Sequence, residues 1–462
     1  MKNSITHIGT ELINNLIAYF SASGDILTIA QMEHDLAPLI REAVGRLATQ
    51  YIEDVDARLR SDKAGRREAG YSVERHCDAR RVLSEIGELS FGRTYYSHRD
   101  GGHAYLVDMA IGLERYDRIS DGVSVALAGA ACEMSYAKSS AYTVGGAVSR
   151  QTVMNQVRGC GAAATQEAQE KRLVPVLHID ADEDHVTMRG GRKGIVPLIS
   201  VYEGVEQKGS RGRCINVFHI SEYGKTPDDL WEQALSEVEA RYDLANTKIY
   251  IHGDGASWIQ QGLEWFPCAT FVLDKYHKNK AITAMTAGLD KDDRKTYSGW
   301  IRAALSGGDS CLLAGLAESL ASQLPEREEI ISEAAGYLIN NIEAISVCGI
   351  DHEANNGGCT EPHVSHILSC RLSNLPLTWS AKTLKQLAPM LANGGVVELQ
   401  RQQSTHPADR ILRKAARGAR RAIKKMYFEP DPDSIGALIP ISNGKVNQLY
   451  RTLRSLSRVN SF

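Results

Sequence analysis

Between Val174 and Asp274 the sequence turns into a series of short apolar runs: VPVLHIDAD, HVTMR, KGIVPLISVYEG and CINVFHI in quick succession, then DDLWEQALSEVEARYDLA, then TKIYIHGD and ATFVLD. Runs this short, rich in Val and Ile and punctuated by Gly, Pro or Asp, read as buried strands, whereas the long stretch among them has helical spacing. Three strands in meander, a helix, and further strands with helices between them predict a mixed α/β sheet covered by helices. Three of the runs, VLHIDAD, KIYIHGD and ATFVLD, end in acids. An acid at the carboxyl end of a buried strand usually faces a crevice where ligands bind.

The strand order predicts an RNase H-like core made of residues 173–277 and 347–400, split by an all-helical insertion at 278–346. Residues 1–172 read as a mostly helical N-terminal region. LAPLIREAVGRLATQYIEDVDARLR carries apolar residues at three- and four-residue spacing. RVLSEIGELSFGRTYYSHRDGGHAYLVD predicts a β-hairpin between Arg81 and Asp108 around its RDGG turn. In TVGGAVSRQTVMNQV a glycine turn precedes Ser149 as N-cap and a helix from Arg150. Many helix-turn-helix recognition helices begin this way, which makes Arg150, Gln151 and Asn155 candidate DNA contacts; a well-capped core helix is the equal alternative.

At 462 residues, 43% hydrophobic and 24% charged, the chain has material for two or three globular domains. Its first 20 residues contain one basic residue and no small-residue cleavage site, and no apolar run reaches the roughly 18 residues of a membrane span. A cytoplasmic location, with no membrane partner, is expected. The 9 cysteines are scattered without a C-x-x-C pair, so reduced thiols are expected rather than a zinc ribbon or disulfide framework.

Two-metal phosphoryl chemistry needs acids from different elements to converge on ions about 3.5–4 Å apart. Asp182 ends the first strand, Asp254 ends KIYIHGD, and Glu361 stands at a helix entry beyond the insertion. Asp180, Asp182 and Asp184 alternate and so share a strand face, which leaves Asp180 as the alternative first ligand. Asp254 in D-G also suits a turn, and Glu361 also suits a first helical turn.

HGDGASWIQQGLEWFPCATFVLDKYH followed by GGCTEPHVSHILSCRLSNLPLTWS resembles the Lre-type bacterial insertion-sequence transposases, DDE enzymes related to the Mutator lineage. The resemblance runs from the hairpin region through the basic tail. It implies Asp182, Asp254 and Glu361 as the catalytic triad holding two Mg²⁺ ions, with Mn²⁺ able to substitute. DKYH supplies the D-x-x-H element of that lineage as Asp274 and His277. Residues three apart share a helix face, so both would lean toward the metal site, although a His that only packs at a strand end is the alternative. The implied partners are double-stranded DNA, as terminal inverted repeats and target, and further copies of the chain on paired ends. Pro362 after Glu361 departs from the small residue expected there; Pro is tolerated in a first turn.

ILRKAARGARRAIKK lies beyond the last acid. Arg410, Arg413, Lys414, Arg417, Arg420, Arg421, Lys424 and Lys425 fall within a helical arc of roughly 140°. Ile411, Leu412, Ala415, Ala419, Ile423 and Met426 take the opposite side. Like charges on one face repel, and a phosphate backbone would relieve them through counterion release. These residues, with Arg371, join Arg150, Gln151 and Asn155 as DNA-binding candidates. A DNA transposase is therefore expected; a DNA-binding relative that does not cut, and a metal-dependent nuclease that does not join strands, are the rivals.

Overall fold

The computed structural model describes residues 2–22, 26–163, 170–208 and 211–399, together with 411, 412, 414, 415, 417 and 418. They form two compact units, one holding residues up to Val123 and the described C-terminal residues, the other Ser124–Gln400.

The first unit starts with α1 (Lys2–Ala22) and α2 (Ile29–Ser61), the latter opened by a capping box between Thr28 and Gln31. A three-stranded antiparallel sheet follows: β1 (Tyr71–Ser84), β2 (Gly87–His98) and β3 (His103–Tyr105). Ile52, Val55 and Leu59 of α2 share a core with Val82, Phe91 and Tyr96 of the sheet. The hairpin thus begins earlier than expected. Its long arms close at Ser84 opposite Gly87, and the RDGG segment makes the second turn, from β2 to β3. Ser72 to Cys77 are all exposed and two register shifts interrupt the pairing, so no apolar alternation marks β1 in the sequence. Ile411, Leu412 and Ala415, from the side of the basic segment opposite its charges, are buried in the same core.

The second unit opens with the end of α3 (Asp121–Glu133), then α4 (Tyr136–Val144) and α5 (Arg150–Gly159). Its centre is a five-stranded sheet of β4 (Val176–Thr187), β5 (Lys193–Tyr202), β6 (Phe218–Ile220), β7 (Lys248–Gly253) and β8 (Ala269–Leu273), with α6 (Pro227–Arg241) between β6 and β7. The order across the sheet is β6-β5-β4-β7-β8; β5 is antiparallel to both its neighbours, and β4, β7 and β8 are parallel. Odd-numbered Leu177, Ile179, Ala181, Ile249 and Ile251 face one way, against Leu230, Trp231, Ala234 and Val238 of α6. The opposite face carries His178, Asp180, Ser200, Tyr202 and His252, all buried and polar.

Five helices follow β8: α7 (Lys275–Thr286), α8 (Lys291–Gly307), α9 (Ser310–Gln323), α10 (Glu328–Asn340) and α11 (Ile342–Ile350). They enclose their own core of Ile282, Met285, Ile301, Leu313 and Leu338, and extend a few residues beyond 278–346 at each end. The chain returns through a glycine loop to α12 (Thr360–Val364) and then α13 (Ala381–Ala392). Helices α4 and α5 were expected within one region spanning 1–172, yet they belong to this second unit. The reason is polar: Arg158 of α5 donates to the Ser380 and Thr383 hydroxyls at 2.9 and 3.1 Å, and Arg371 Nε donates to the Ala131 carbonyl at 2.7 Å. Among the described residues, no helix is long and apolar enough to cross a membrane.

Candidate active site

Parallel pairing sets Ile179 opposite Ile251 and Asp180 opposite His252, so β4 and β7 run side by side toward one edge of the sheet. Asp254 follows the last residue of β7, but Asp182 does not end its strand as expected: β4 continues to Thr187 because its pairing with β5 runs on after the pairing with β7 stops at Asp180; both acids are half-buried. Gly253 and Gly255 flank Asp254. A Cβ on Gly253 would come within 2.9 Å of the Ala181 carbonyl oxygen, and Gly255 has φ +91°, a conformation that suits glycine. The Asp254 carboxylate accepts the Ala256 amide at 2.8 Å, so it shapes the turn as well as facing the crevice. Tyr337 of α10 donates to the Asp254 carbonyl at 2.7 Å and ties the turn to the helical layer.

Strand β8 delivers the third acid. Asp274 accepts the His277 amide at 2.9 Å as the N-cap of α7, and its other oxygen meets His277 Nδ1 at 2.6 Å. Only 1% of Asp274 is exposed, so this carboxylate is committed to the imidazole. The pair lies beside the first two acids. The Asp274 hydrogen bond raises His277 above the ordinary imidazole value, with burial opposing and the charges of Asp274, Asp182 and Asp254 adding. Burial pushes the Asp182 carboxyl up to about 7; the Glu183 amide and His277 pull it down, while Asp254 and Asp274 push it further up. Crowded carboxylates that ionise reluctantly are the electrostatic condition that a bound cation relieves.

Asp180 has a different job. It is 2% exposed, and it accepts the Tyr202 hydroxyl at 2.9 Å and the Cys359 amide at 2.7 Å, with His363 Nδ1 at 3.4 Å. Burial alone would raise its pKa; the His363 hydrogen bond, the His252 and His363 charges and the Tyr202 bond outweigh that and hold it below the usual range. His178 Nδ1 and His252 Nε2 are 3.0 Å apart, and burial lowers both, His178 to about 4. Gly357 sits directly on this pair, where a Cβ would come within 2.4 Å of both rings. Gly358 donates its amide to Tyr202 at 3.0 Å, and Lys275 Nζ reaches the Asn355 carbonyl at 2.5 Å. The polar sheet face is therefore a dock for the loop that leads into Glu361.

Glu361 itself is exposed, in the first turn of α12. With Lys275, Tyr276, Asn279, Lys280, Thr283, Gly358 and Pro362 it lines a cavity of about 670 Å³ against α7, the helix that carries His277. Among the described residues no three His, Cys, Asp or Glu side chains form a ready metal cage. The structure thus brings together Asp182, Asp254, Asp274 and His277, and leaves Glu361 on a neighbouring wall. Sequence reasoning did not anticipate His178, His252, Tyr202 or Gly357. Their signal was present: His178 and Asp180 alternate on the same strand face as Asp182, as polar side chains in an otherwise apolar run.

The other candidates divide. Arg150, Gln151 and Asn155 are exposed on α5, which Ser149 caps by accepting the Thr152 amide at 3.1 Å. Arg371 is buried rather than surface-facing. Lys414 pairs with Asp62 at 2.6 Å, and Arg417 lines a cavity with Arg58 and Asp62. Arg410, Arg413, Arg420, Arg421, Lys424 and Lys425 lie outside the described residues.

A family model described as "Uncharacterised protein family (UPF0236)" matches residues 23–402. The UPF0236 protein TTE0610/TTE0881/TTE1053/TTE2432 of Caldanaerobacter subterraneus subsp. tengcongensis is 35% identical over 450 residues, covering 94% of this chain and 93% of that protein. Another from the same organism has the same identity and coverage, under a name that joins eleven locus designations. The UPF0236 protein in vanSb 3'region of Streptococcus gallolyticus is 26% identical over 334 residues, 69% of this chain and 72% of that protein.

Proposed function

The chain belongs to the UPF0236 family, whose description names no activity, and from its own geometry we propose that it is a DNA transposase of an insertion sequence. It would bind the terminal inverted repeats of its element as a multimer, hydrolyse a phosphodiester at each end, and join the freed 3′-hydroxyl to target DNA. The observation that carries this reading is the convergence of Asp182, within β4 just past its pairing with β7, and Asp254, just past the end of β7, with the Asp274–His277 pair beside them. The sheet adds support. Numbered along the chain its strands lie in the order 3-2-1-4-5 with only the second reversed, the arrangement expected of an RNase H-like core. One protein name shared by eleven loci of one genome is also what a self-copying gene would leave.

Asp182, Asp254 and Glu361 would hold the Mg²⁺ ions, or Mn²⁺ in their place; hard carboxylate oxygens with substrate phosphates suit that ion. Bound there, the ions would supply an activated hydroxyl nucleophile and stabilise the leaving oxygen. The residues' own contribution is positioning. Asp274 fixes the ring of His277 and keeps it protonated to higher pH, so His277 can donate a hydrogen bond to a phosphate oxygen or to the attacking water. The docked glycine loop fixes the start of α12 and with it Glu361. Catalysis of this kind is mostly orientation and charge neutralisation, and no covalent protein intermediate is needed.

The exposed Glu361, on a separate wall, favours one rival: a DNA-binding relative that does not cut. The deciding experiment incubates the full chain with a duplex ending in the element's terminus, with Mg²⁺, with EDTA, and as the Asp254→Ala and Glu361→Gln variants. Metal-dependent cleavage and joining, lost in both variants, is the expected result. Binding without cleavage under every metal condition would overturn the proposal in favour of the non-cutting relative; cleavage without joining would overturn it in favour of a nuclease.

A further inference from the structure

Arg371 is 3% exposed, yet its only hydrogen bond among the described residues is the one from Nε to the Ala131 carbonyl, and its Nη1 has no partner. The guanidinium lies over the Trp379 ring at 4.8 Å and near the Tyr136 ring at 5.7 Å. A buried charge without a counter-charge is costly and is normally paired. No carboxylate is among the groups acting on it. The groups that act on it are the Tyr136 hydroxyl and the Cys132 and Cys370 thiols. Burial raises the Tyr136 hydroxyl, and the charges of Arg371, Arg158 and Arg189 pull it back down. That hydroxyl is itself buried with no partner.

These groups line or adjoin a cavity of about 230 Å³, to which Arg150 and Arg189 also contribute and which no acidic side chain lines. Three helices begin at its wall: α4 with Ser135 as N-cap, α5 with Arg150 as first residue, and α13 with Ser380 as N-cap. Each is at least nine residues long, and each brings the positive end of its dipole to the same space. Three arginines, three helix N-termini and two unpartnered buried donors describe a receptor for an anion. The volume falls below the roughly 300–1,000 Å³ of pockets for drug-sized ligands. It suits a single phosphate group.

We infer that this pocket seats one phosphate of a nucleic-acid strand, an assignment that rests on the DNA-acting reading above. The strand, rather than a free anion, is favoured by continuity: Arg150 both lines the pocket and begins the exposed row completed by Gln151 and Asn155 on α5. Planar guanidinium forks match phosphate oxygens in pairs. Contacts of this kind fix the register of a protein on DNA without reading its sequence.

The test uses the full chain with Arg371→Met, which conserves bulk and removes the charge, and Arg189→Gln, an exposed change that carries the test if the first variant fails to fold. Thermal unfolding is followed with and without millimolar inorganic phosphate, and duplex binding by fluorescence anisotropy across a salt series. Inorganic phosphate should raise the melting temperature of the wild type and not of Arg371→Met. Each variant should weaken duplex binding about tenfold and lower the salt slope by about one. Unchanged duplex affinity and slope in both variants would overturn the inference, and phosphate protection without that loss would reassign the pocket to a free anion. Because binding is read separately from cleavage, a protein that needs these arginines for DNA but never cuts keeps the pocket and loses the transposase reading.

Discussion

His277 Nδ1 lies 2.6 Å from one oxygen of Asp274, whose other oxygen accepts the His277 backbone amide at 2.9 Å. One buried carboxylate therefore caps a helix and fixes a ring at once. Asp274→Asn keeps the shape and removes the charge. The His277 pKa should fall toward the ordinary imidazole value, read by NMR from the ring Cε1 proton, and strand cleavage should drop about 100-fold. A His277 titration identical to wild type would show that Asp274 does not set the protonation of the ring.

Asp182 makes stability depend on pH and metal together. Burial raises its carboxyl from an ordinary 3.8 to about 7, so between those values the folded state binds the extra proton. Stability without metal should fall as pH rises from about 4 to about 7, by at most about 4 kcal/mol. His277 acts in the same direction, since its raised pKa contributes stability that is lost as pH rises through the folded value. Mg²⁺ should restore the loss at pH 8 and do little at pH 5. Urea unfolding at the two pH values, with and without Mg²⁺, measures this; equal Mg²⁺ protection at both would contradict it.

Two acids one alternation apart should respond oppositely to the same change. Asp180→Asn replaces a carboxylate bound by Tyr202, His363 and the Cys359 amide, and should destabilise by about 2–3 kcal/mol at pH 8. Asp182→Asn removes a reluctant charge and should stabilise the metal-free protein at that pH while abolishing Mg²⁺ protection. Calorimetry on the two variants separates the roles; destabilisation of equal size in both would mean that Asp182 is structural too.

Gly253→Ala puts a methyl group 2.9 Å from the Ala181 carbonyl oxygen and 2.7 Å from the Ile259 side chain. Overpacking of this kind costs about 1–3 kcal/mol, and here it would also spread β4 from β7 where Asp182 and Asp254 meet. Both the melting temperature and Mg²⁺ protection should fall. Gly336→Ala, in α10 with open space around it, is the control and should gain about 0.5–1 kcal/mol. Unaltered Mg²⁺ protection in Gly253→Ala would show that the glycine serves packing alone.

The strand ending before Asp254 was legible because an apolar run ending in an acid has few other uses; the end of β4 was not, since VLHIDAD and HVTMR form one strand that passes through Asp182. The D-x-x-H pair was legible through the resemblance alone; that Asp274 caps α7, which begins at Lys275, emerged only from the structure. What stayed hidden depends on contacts between distant segments. Nothing local marks Asp180 as an anchor, because its partners Tyr202 and Cys359 are 22 and 179 residues away. The part of β1 before Arg81 was missed because an exposed, bulged strand dense in charged residues has neither strand nor helix period. Arg371 could be listed as basic from sequence, but only its burial gives it a reason to be there.

The two faces of the central sheet should also have had different histories. On the side of α6, Leu177, Ile179 and Ile251 meet other apolar groups, and each can be exchanged for a neighbour of similar volume at modest cost. Across the sheet, His178, His252, Tyr202, Asp180 and Gly357 satisfy one another, so a single change strands a buried partner. Relatives should drift freely on one side of these strands and be nearly frozen on the other, residue by alternate residue. In a collection of divergent copies, β4 would then show a two-residue rhythm of variation and constancy that its hydrophobicity alone does not contain.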